Sequence, residues 1–515
     1  MLTPEYLAGI ADDIVELYGE LEDLITRDIV RRLLKAGEMT ETALWQINKS
    51  QQSGSLYDDV IKKISAFSSQ SENQIHEIFE EAGVKALDFD ISVYKAAGLS
   101  PVPLNQSIAA ARVLKAGIIK TNGLLKNLTR TTANAAQQTY IHAATIAEMQ
   151  ITSGAFDPHT AIRNAVNAAI KEGTHIIYPS GHRDRVDVAV RRAVVTGVSQ
   201  TTGEISLQYA GDMGCDLMEI SAHFGARPSH AEWQGKIVSL SGRSGYLSVD
   251  DIGYGTGAGF KGWNCRHDWY PFFEGISRRA YSKQRLKEYF DKTVKYGDEE
   301  IPYYEATQKQ REMERRIRDS RRQLAGYDEA IKNADKQTSA AIKADFERAS
   351  VKLKKQEAIY KDFANQTGLS RQTDRIQVSG FDRSVSQKAV QANKLVEKIK
   401  KKDIIKEKIR EAGNLSKKAE IHLEPKSIDV DSLSFDEKHI NKDRMHHVTE
   451  SQAKQWIKDS KISTTVWGGK FERYYGVEGT VYVNLNENNI RTAFSHSEYG
   501  DAVKSIMEVI KKYGL

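Results

Sequence analysis

Two cysteines in 515 residues, Cys215 and Cys265, are too few for a disulfide framework and read instead as thiols or metal ligands of a reducing compartment. Nine prolines beside a 40% apolar content exclude a collagenous or low-complexity chain. No run approaches the roughly 18 apolar residues of a spanning helix, so no membrane partner is expected. The opening MLTPEYLAGIADDIVELYGELEDL carries acids through its apolar pattern, unlike a signal peptide, which points to the cytoplasm in which the chain is made. Charge of one sign is also lacking: 74 basic against 69 acidic residues leave +5, which makes no case for nucleic-acid binding by the whole chain. Length alone suggests roughly three or four domains.

What is present is mostly helical pattern. Thr3 reads as an N-cap with Pro4 in the first turn, and Leu7, Ile10, Ile14, Leu17, Leu21 and Leu24 follow at helical spacing up to Gly37. Ser71-Glu72-Asn73-Gln74 reads as a capping box opening a second helix that Gly83 stops. From Thr174 to about residue 275 the helical period weakens and glycines and aromatics cluster. Beyond it, Ile317, Leu324 and Ile331, then Ile342, Phe346 and Leu353, form an apolar stripe amid dense charge, with coiled-coil spacing in its first part. The last segment offers a short helix, four β-rich runs (ISTTVW, FERYY, GTVYVNL, IRTAF), a turn at Asn486 to Asn489 and a closing helix.

The predicted fold class is therefore mainly α and multidomain. A helical assembly occupies 1–170, a small α+β module 171–290, and a long charged helix or helical hairpin 291–365. A linker with a basic helix fills 366–435, and a small α+β domain with an antiparallel sheet fills 436–515.

The chemistry concentrates in the central module. Cys215, His223, His230, Cys265 and His267 are the sulfur and imidazole donors that zinc selects, but without a CxxC or finger spacing. Buried thiols and hydrogen-bonded histidines are the alternative, and Trp233, Trp263 and Trp269 read as a small core. Gly257 to Gly262 (GAGFKG) formally matches GxGxxG, yet neither follows a strand nor opens a helix, so a dinucleotide site is excluded. A nucleophilic Cys265 beside His267 is disfavoured, because such pairs normally meet through the fold rather than along the chain.

Many ordered segments, among them ALWQINKSQQSG, NLTRTTANAAQ, DVAVRRAVVTGVSQ, MGCDLMEISAHFGARPSHAEWQGK and NCRHDWYPF, resemble the phage minor capsid protein 2 family of the phage head-morphogenesis group, over roughly residues 1 to 330. The resemblance implies a structural protein of the virion head, assembled in the host cytoplasm and acting near the portal in head assembly or genome packaging. Its partners would be the portal, other capsid proteins and phage DNA. It also implies a zinc-stapled module, with Cys215, His230, Cys265 and His267 as ligands and His223 as a substitute.

The C-terminal domain resembles the small toxin-type ribonucleases of the barnase, EndoU, colicin and RelE-like fold, with HHVT ahead of the helix and RTAF on the last strand. That resemblance implies metal-independent cleavage of host RNA. His446 or His447 would be the base or acid, Arg491 the cation, and Thr492, Tyr482 or Ser495 the hydrogen-bonding partners. The other reading of this domain is a docking module without catalysis.

Overall fold

Thr3 accepts a hydrogen bond from the Tyr6 amide and Pro4 occupies the first turn, so the chain enters helix α1 (Pro4–Gly9) as its sequence predicts. The computed structural model describes residues 1–36, 42–178 and 180–515. Gly37, expected to stop the first helix, lies outside them. They form two units, Met1–Ala392 and Asn393–Leu515.

In the first unit, α1 breaks before α2 (Asp12–Ala36), and α3 runs unbroken from Thr42 to Ala96. The capping box at Ser71 and the stop at Gly83 are therefore corrected. Ser71 donates to the Ser68 carbonyl inside the helix, and Gly83 packs against Leu104, Leu114 and Ile205. That packing outweighs the roughly 1 kcal/mol by which glycine weakens a helix interior. Helices α4 (Ile108–Thr152) and α5 (Pro158–Glu172) start on side-chain caps from Ser107 and Asp157. A short hairpin, β1 (His175–Ile177) with β2 (Arg183–Arg185), follows.

Helix α6 (Val186–Asp212) occupies a stretch whose period looked weak. It packs against α2, α3 and α4 at once, and its buried side carries Ser199, Thr201, Thr202 and Ser206 among the valines, which blunts the apolar period although Gln200, Glu204 and Gln208 keep one side polar. Gly117 of α4 faces Thr201, and Gly197 of α6 faces Thr121; a Cβ at either glycine would collide with the opposing threonine, which explains how the two helices approach so closely.

The α+β module is a four-stranded sheet in the order β5-β4-β3-β6, formed by β3 (Leu217–Ile220), β4 (Ile237–Ser239), β5 (Leu247–Ser248) and β6 (Trp269–Phe272), with the single turn α7 (Pro228–Ala231) between β3 and β4. Trp233 and Trp269 are buried in its core, whereas Trp263 is 61% exposed and corrects the expectation of a three-tryptophan core. After α8 (Lys283–Asp291) and the hairpin β7 (Thr293–Tyr296) with β8 (Glu299–Pro302), the charged stretch folds as a helical hairpin, α9 (Tyr303–Asn333) and α10 (Lys336–Thr367). Its stripe is not solvated: Ile317, Leu324, Ile342, Phe346 and Leu353 join the core built by α2 to α6. Arg322 lies between Glu22 at 3.2 Å and Asp187 at 3.3 Å, binding α9 to α2 and α6 through buried charge.

Helix α11 (Arg383–Ala412) spans the boundary between the units. In the second unit, β9 (Glu420–His422) and β10 (Ser434–Phe435) precede α12 (Glu450–Lys458), β11 (Ile462–Val466), β12 (Phe471–Tyr475), β13 (Gly479–Asn484), β14 (Asn489–Ser495) and α13 (Asp501–Tyr513). The sheet has six strands, ordered β10-β14-β13-β12-β11-β9. Both flanking strands come from the stretch read as linker; at two and three residues they are too short to show alternation. Helix α12 covers one face through Ala453 and Ile457, packed on Tyr474, Val481, Val483 and Ala493. The ends of α11 and α13 cover part of the other, where Ile405, Ile409, Ile506 and Ile510 meet Ile462 and Tyr475.

Candidate functional site

His230 is carried by α7, and Cys265 and His267 by the extended chain that leads into β6. All three are buried and their donor atoms converge. The two Nδ1 atoms are 3.4 Å apart, and Cys265 Sγ lies 3.9 Å from that of His230 and 3.7 Å from that of His267. A tetrahedral ion at ordinary zinc bond lengths requires about 3.4 Å between two nitrogens and about 3.6 Å between sulfur and nitrogen. The spacing fits one ion.

The outer hydrogen bonds orient these donors. His230 Nε2 donates to the Ala258 carbonyl at 2.8 Å, and His267 Nε2 to Gln234 Oε1 at 3.3 Å. Gln234 Oε1 also accepts the His223 amide at 3.1 Å, which fixes it as an acceptor. Both imidazole protons therefore sit on Nε2, and two Nδ1 lone pairs face each other and the sulfur, an arrangement a cation relieves. Burial holds His230 down to about 4 and His267 well below the usual histidine range, so both rings are neutral at pH 7, as ligation requires. Burial pushes the Cys265 thiol up, which argues against a free nucleophile.

Cys215 and His223 stand outside this group. Cys215 precedes β3 and donates to the Leu217 carbonyl at 3.3 Å, near Phe272. Leu217 pairs with Phe272, whereas Ile220, at the far end of β3, pairs with Trp269 beside His267. Three strand residues, about 10 Å, separate the thiol from the group, so the four-ligand set containing Cys215 is corrected to three. His223 Nδ1 donates to the Phe224 carbonyl at 2.8 Å, and its ring stacks on His267 with centroids 4.5 Å apart. The GAGFKG stretch is a tight loop whose Lys261 is buried with Nζ 2.5 Å from Asp268 Oδ1, so its glycines serve packing.

These histidines and Cys265 line one side of a cavity of about 440 Å³ in the first unit. Its other walls come from α1, the start of α6, α9 and the turn at Asp374–Ile376, and the cavity as a whole is lined by seven arginines, two of them (Arg227 and Arg266) from the histidine and cysteine side, against two carboxylates.

In the second unit, Thr464, Arg473, Tyr482 and Thr492 stand opposite one another across β11 to β14 and so share a face. The Arg473 guanidinium lies 4.8 Å from the Trp467 ring centroid and 4.7 Å from that of Tyr482. Tyr482 meets Phe494 at 5.7 Å, and Phe494 meets the His446 ring at 5.6 Å. His446 Nδ1 is 2.8 Å from Glu498 Oε1. Burial pushes the Tyr482 hydroxyl up to about 12, so it stays protonated at pH 7. His447 is exposed, with a left-handed φ of 52°. Arg491 sits at the bulge between the Tyr482 and Val483 pairings and is held by Asp436, apart from the Tyr482 and His446 group. Ser495 is engaged with Ser497 at 2.7 Å and gives its amide to Glu498 at 3.2 Å. Arg473 and Glu498 escaped the sequence reading; the FERYY run hides an arginine on the open face behind its aromatics.

Comparison with known proteins bears on the first unit. The description "Phage minor capsid protein 2" matches residues 2–365. A structural protein of Lactococcus phage LL-H is 27% identical over 309 residues, 54% of this chain and 82% of its own length. A structural protein of Lactococcus phage mv4 is 32% identical over 137 residues, 26% of this chain and 94% of its own. No solved structure matches the chain. The matched span takes in the histidine and cysteine group and nearly all of the helical core around it, and on that ground the chain belongs to the phage minor capsid protein 2 family.

Proposed function

We propose that this phage structural protein works in the virion head near the portal, during head assembly or genome packaging, and carries a ribonuclease in its second unit. The family match over residues 2–365 carries the head assignment. Ile108 and Ile119, three turns apart on one side of α4, are 72% and 61% exposed and offer an apolar contact for portal or other capsid proteins. Phage DNA is the further partner that packaging would bring. No helix among the described residues is long and apolar enough to cross a membrane. Within the first unit, His230, Cys265 and His267 hold a zinc ion whose role is to staple the glycine-rich module.

For the second unit, the open sheet face supports RNA cleavage without a metal. Glu498 at Nδ1 of His446 leaves Nε2 free to take the ribose 2′-hydroxyl proton. Arg473, braced by two aromatic rings, supplies the cation for the phosphorane in place of Arg491, whose charge Asp436 already engages. Tyr482 and Thr492 donate or accept beside it, and exposed His447 is available as the acid. The test is host RNA incubated with the full-length protein in EDTA. Cleavage that His446→Ala abolishes supports the reading; intact tRNA, rRNA and mRNA after incubation with folded protein would leave the sheet a docking module.

A further inference from the structure

The cavity beside the histidine and cysteine group contains more positive charge than the protein neutralises. Its two carboxylates are already committed: Asp187 pairs with Arg318 at 3.4 Å and Arg322 at 3.3 Å, and Glu314 accepts the Tyr360 hydroxyl at 3.1 Å. Arg266, Arg311 and Arg375 are half-buried around the opening, from the β6 approach, α9 and the Asp374–Ile376 turn. Among the described residues, none of the three guanidinium groups has a carboxylate within ion-pair distance or a hydrogen bond to any partner. Arg227 adds a fourth, with one nitrogen on the Trp263 carbonyl at 2.7 Å. Three like charges gathered in partial burial repel one another, a cost the fold bears only where an anion offsets it. Burial and the charges of Arg266 and Arg375 together pull Arg311 down to about 10, in keeping with that repulsion.

We propose that this cavity is a phosphate-binding site, taking a free phosphate or the terminal phosphate of a nucleic acid. The planar donor fork of arginine matches tetrahedral oxyanions, and donors converging from three separate segments enclose a single group rather than track a backbone. A cavity of about 440 Å³ admits one phosphate with its attached sugar and excludes a duplex, whose body is far wider. The zinc reading is not needed for this proposal, because none of the three arginines is a metal donor.

The experiment is calorimetry and thermal melting of the full-length protein in phosphate-free buffer. The titrants are inorganic phosphate and a short oligonucleotide with or without a 5′-phosphate, with chloride at matched ionic strength as the control. Phosphate should bind and raise the melting temperature where chloride does not. Arg311→Gln should weaken binding by about tenfold or more and should itself melt no lower than wild type without phosphate, since it removes repulsion. Arg375→Gln provides the same readout should Arg311→Gln fold poorly, and Arg316→Gln, at an exposed arginine paired with Glu312, should change nothing. Binding of the 5′-phosphorylated oligonucleotide alone, without its unphosphorylated twin, identifies the nucleic-acid source; binding of inorganic phosphate alone identifies the free ion. Equal response to phosphate and chloride, or undiminished binding in both variants, would overturn the proposal.

Discussion

The two units handle charge in opposite ways. The first buries it: Arg322 lies between Glu22 and Asp187 in the helical core, Lys261 against Asp268 inside the α+β module, and half-buried Arg163 against Asp345 where α5 meets α10. The second keeps its one conspicuous arginine, Arg473, on an open sheet face between aromatic rings. Buried ion pairs fix how segments meet, whereas a braced arginine on an open face, like the unpaired arginines of the first unit's cavity, is available to a partner. The family match follows the same division, ending at residue 365 and so before the second unit begins. The family match thus covers the first unit alone.

Five substitutions test that contrast. Cys265→Ser should have the largest effect: the wild-type protein should carry close to one zinc per chain by elemental analysis, and the variant none. The first unit should then melt several degrees lower, because lost binding energy is lost folding energy. A metal-free wild type melting like the variant would leave only a core of thiol and imidazole. Next, Arg322→Met leaves Glu22 with Arg185 alone and Asp187 with Arg318 alone and should destabilise the first unit by about 2 kcal/mol in denaturant melts; a loss below about 1 kcal/mol would show that the buried charges do not set the packing.

In the second unit, Arg473→Ala should lower RNA turnover by about a hundredfold without moving the melting of either unit, and Arg491→Ala should cost far less. The reverse order would return the cationic role to Arg491. The smallest effect concerns Asp23, buried and accepting the Gly380 amide at 2.8 Å. Burial pushes its carboxyl from 3.8 up to about 6. The folded state therefore binds the proton more tightly than the unfolded one, and stability falls as pH rises from about 4 to 6. Asp23→Asn should flatten the first unit's melting across that window, and an unchanged slope would assign it to other groups.

How much of this the sequence showed depended on whether a residue's partners lie near it in the chain. The Thr3 and Pro4 start and the strands β11 to β14 were legible, because caps and alternation are local signals. Helix α6 was not, since Ser199, Thr201, Thr202 and Ser206 interrupt the apolar residues of its buried side, and Gly83 misled because its packing partners Leu104, Leu114 and Ile205 lie far along the chain. At the histidine and cysteine group, the donor types were legible and the membership was not: only the register of β3 with β6 separates Cys215 from Cys265. Arg266, Arg311 and Arg375 come from three segments and look, one at a time, like ordinary surface charge. The strands β9 and β10 were hidden by being too short to carry a pattern.

The most direct test of the central claim, that the first unit is the head component and the second an addition, is to infect with phage encoding a chain that ends after Ala392 and count the truncated protein in purified heads by mass spectrometry. The account predicts incorporation at the wild-type level, with DNA-filled heads. A truncated chain that is folded and expressed in the infected cell yet absent from the heads would contradict it.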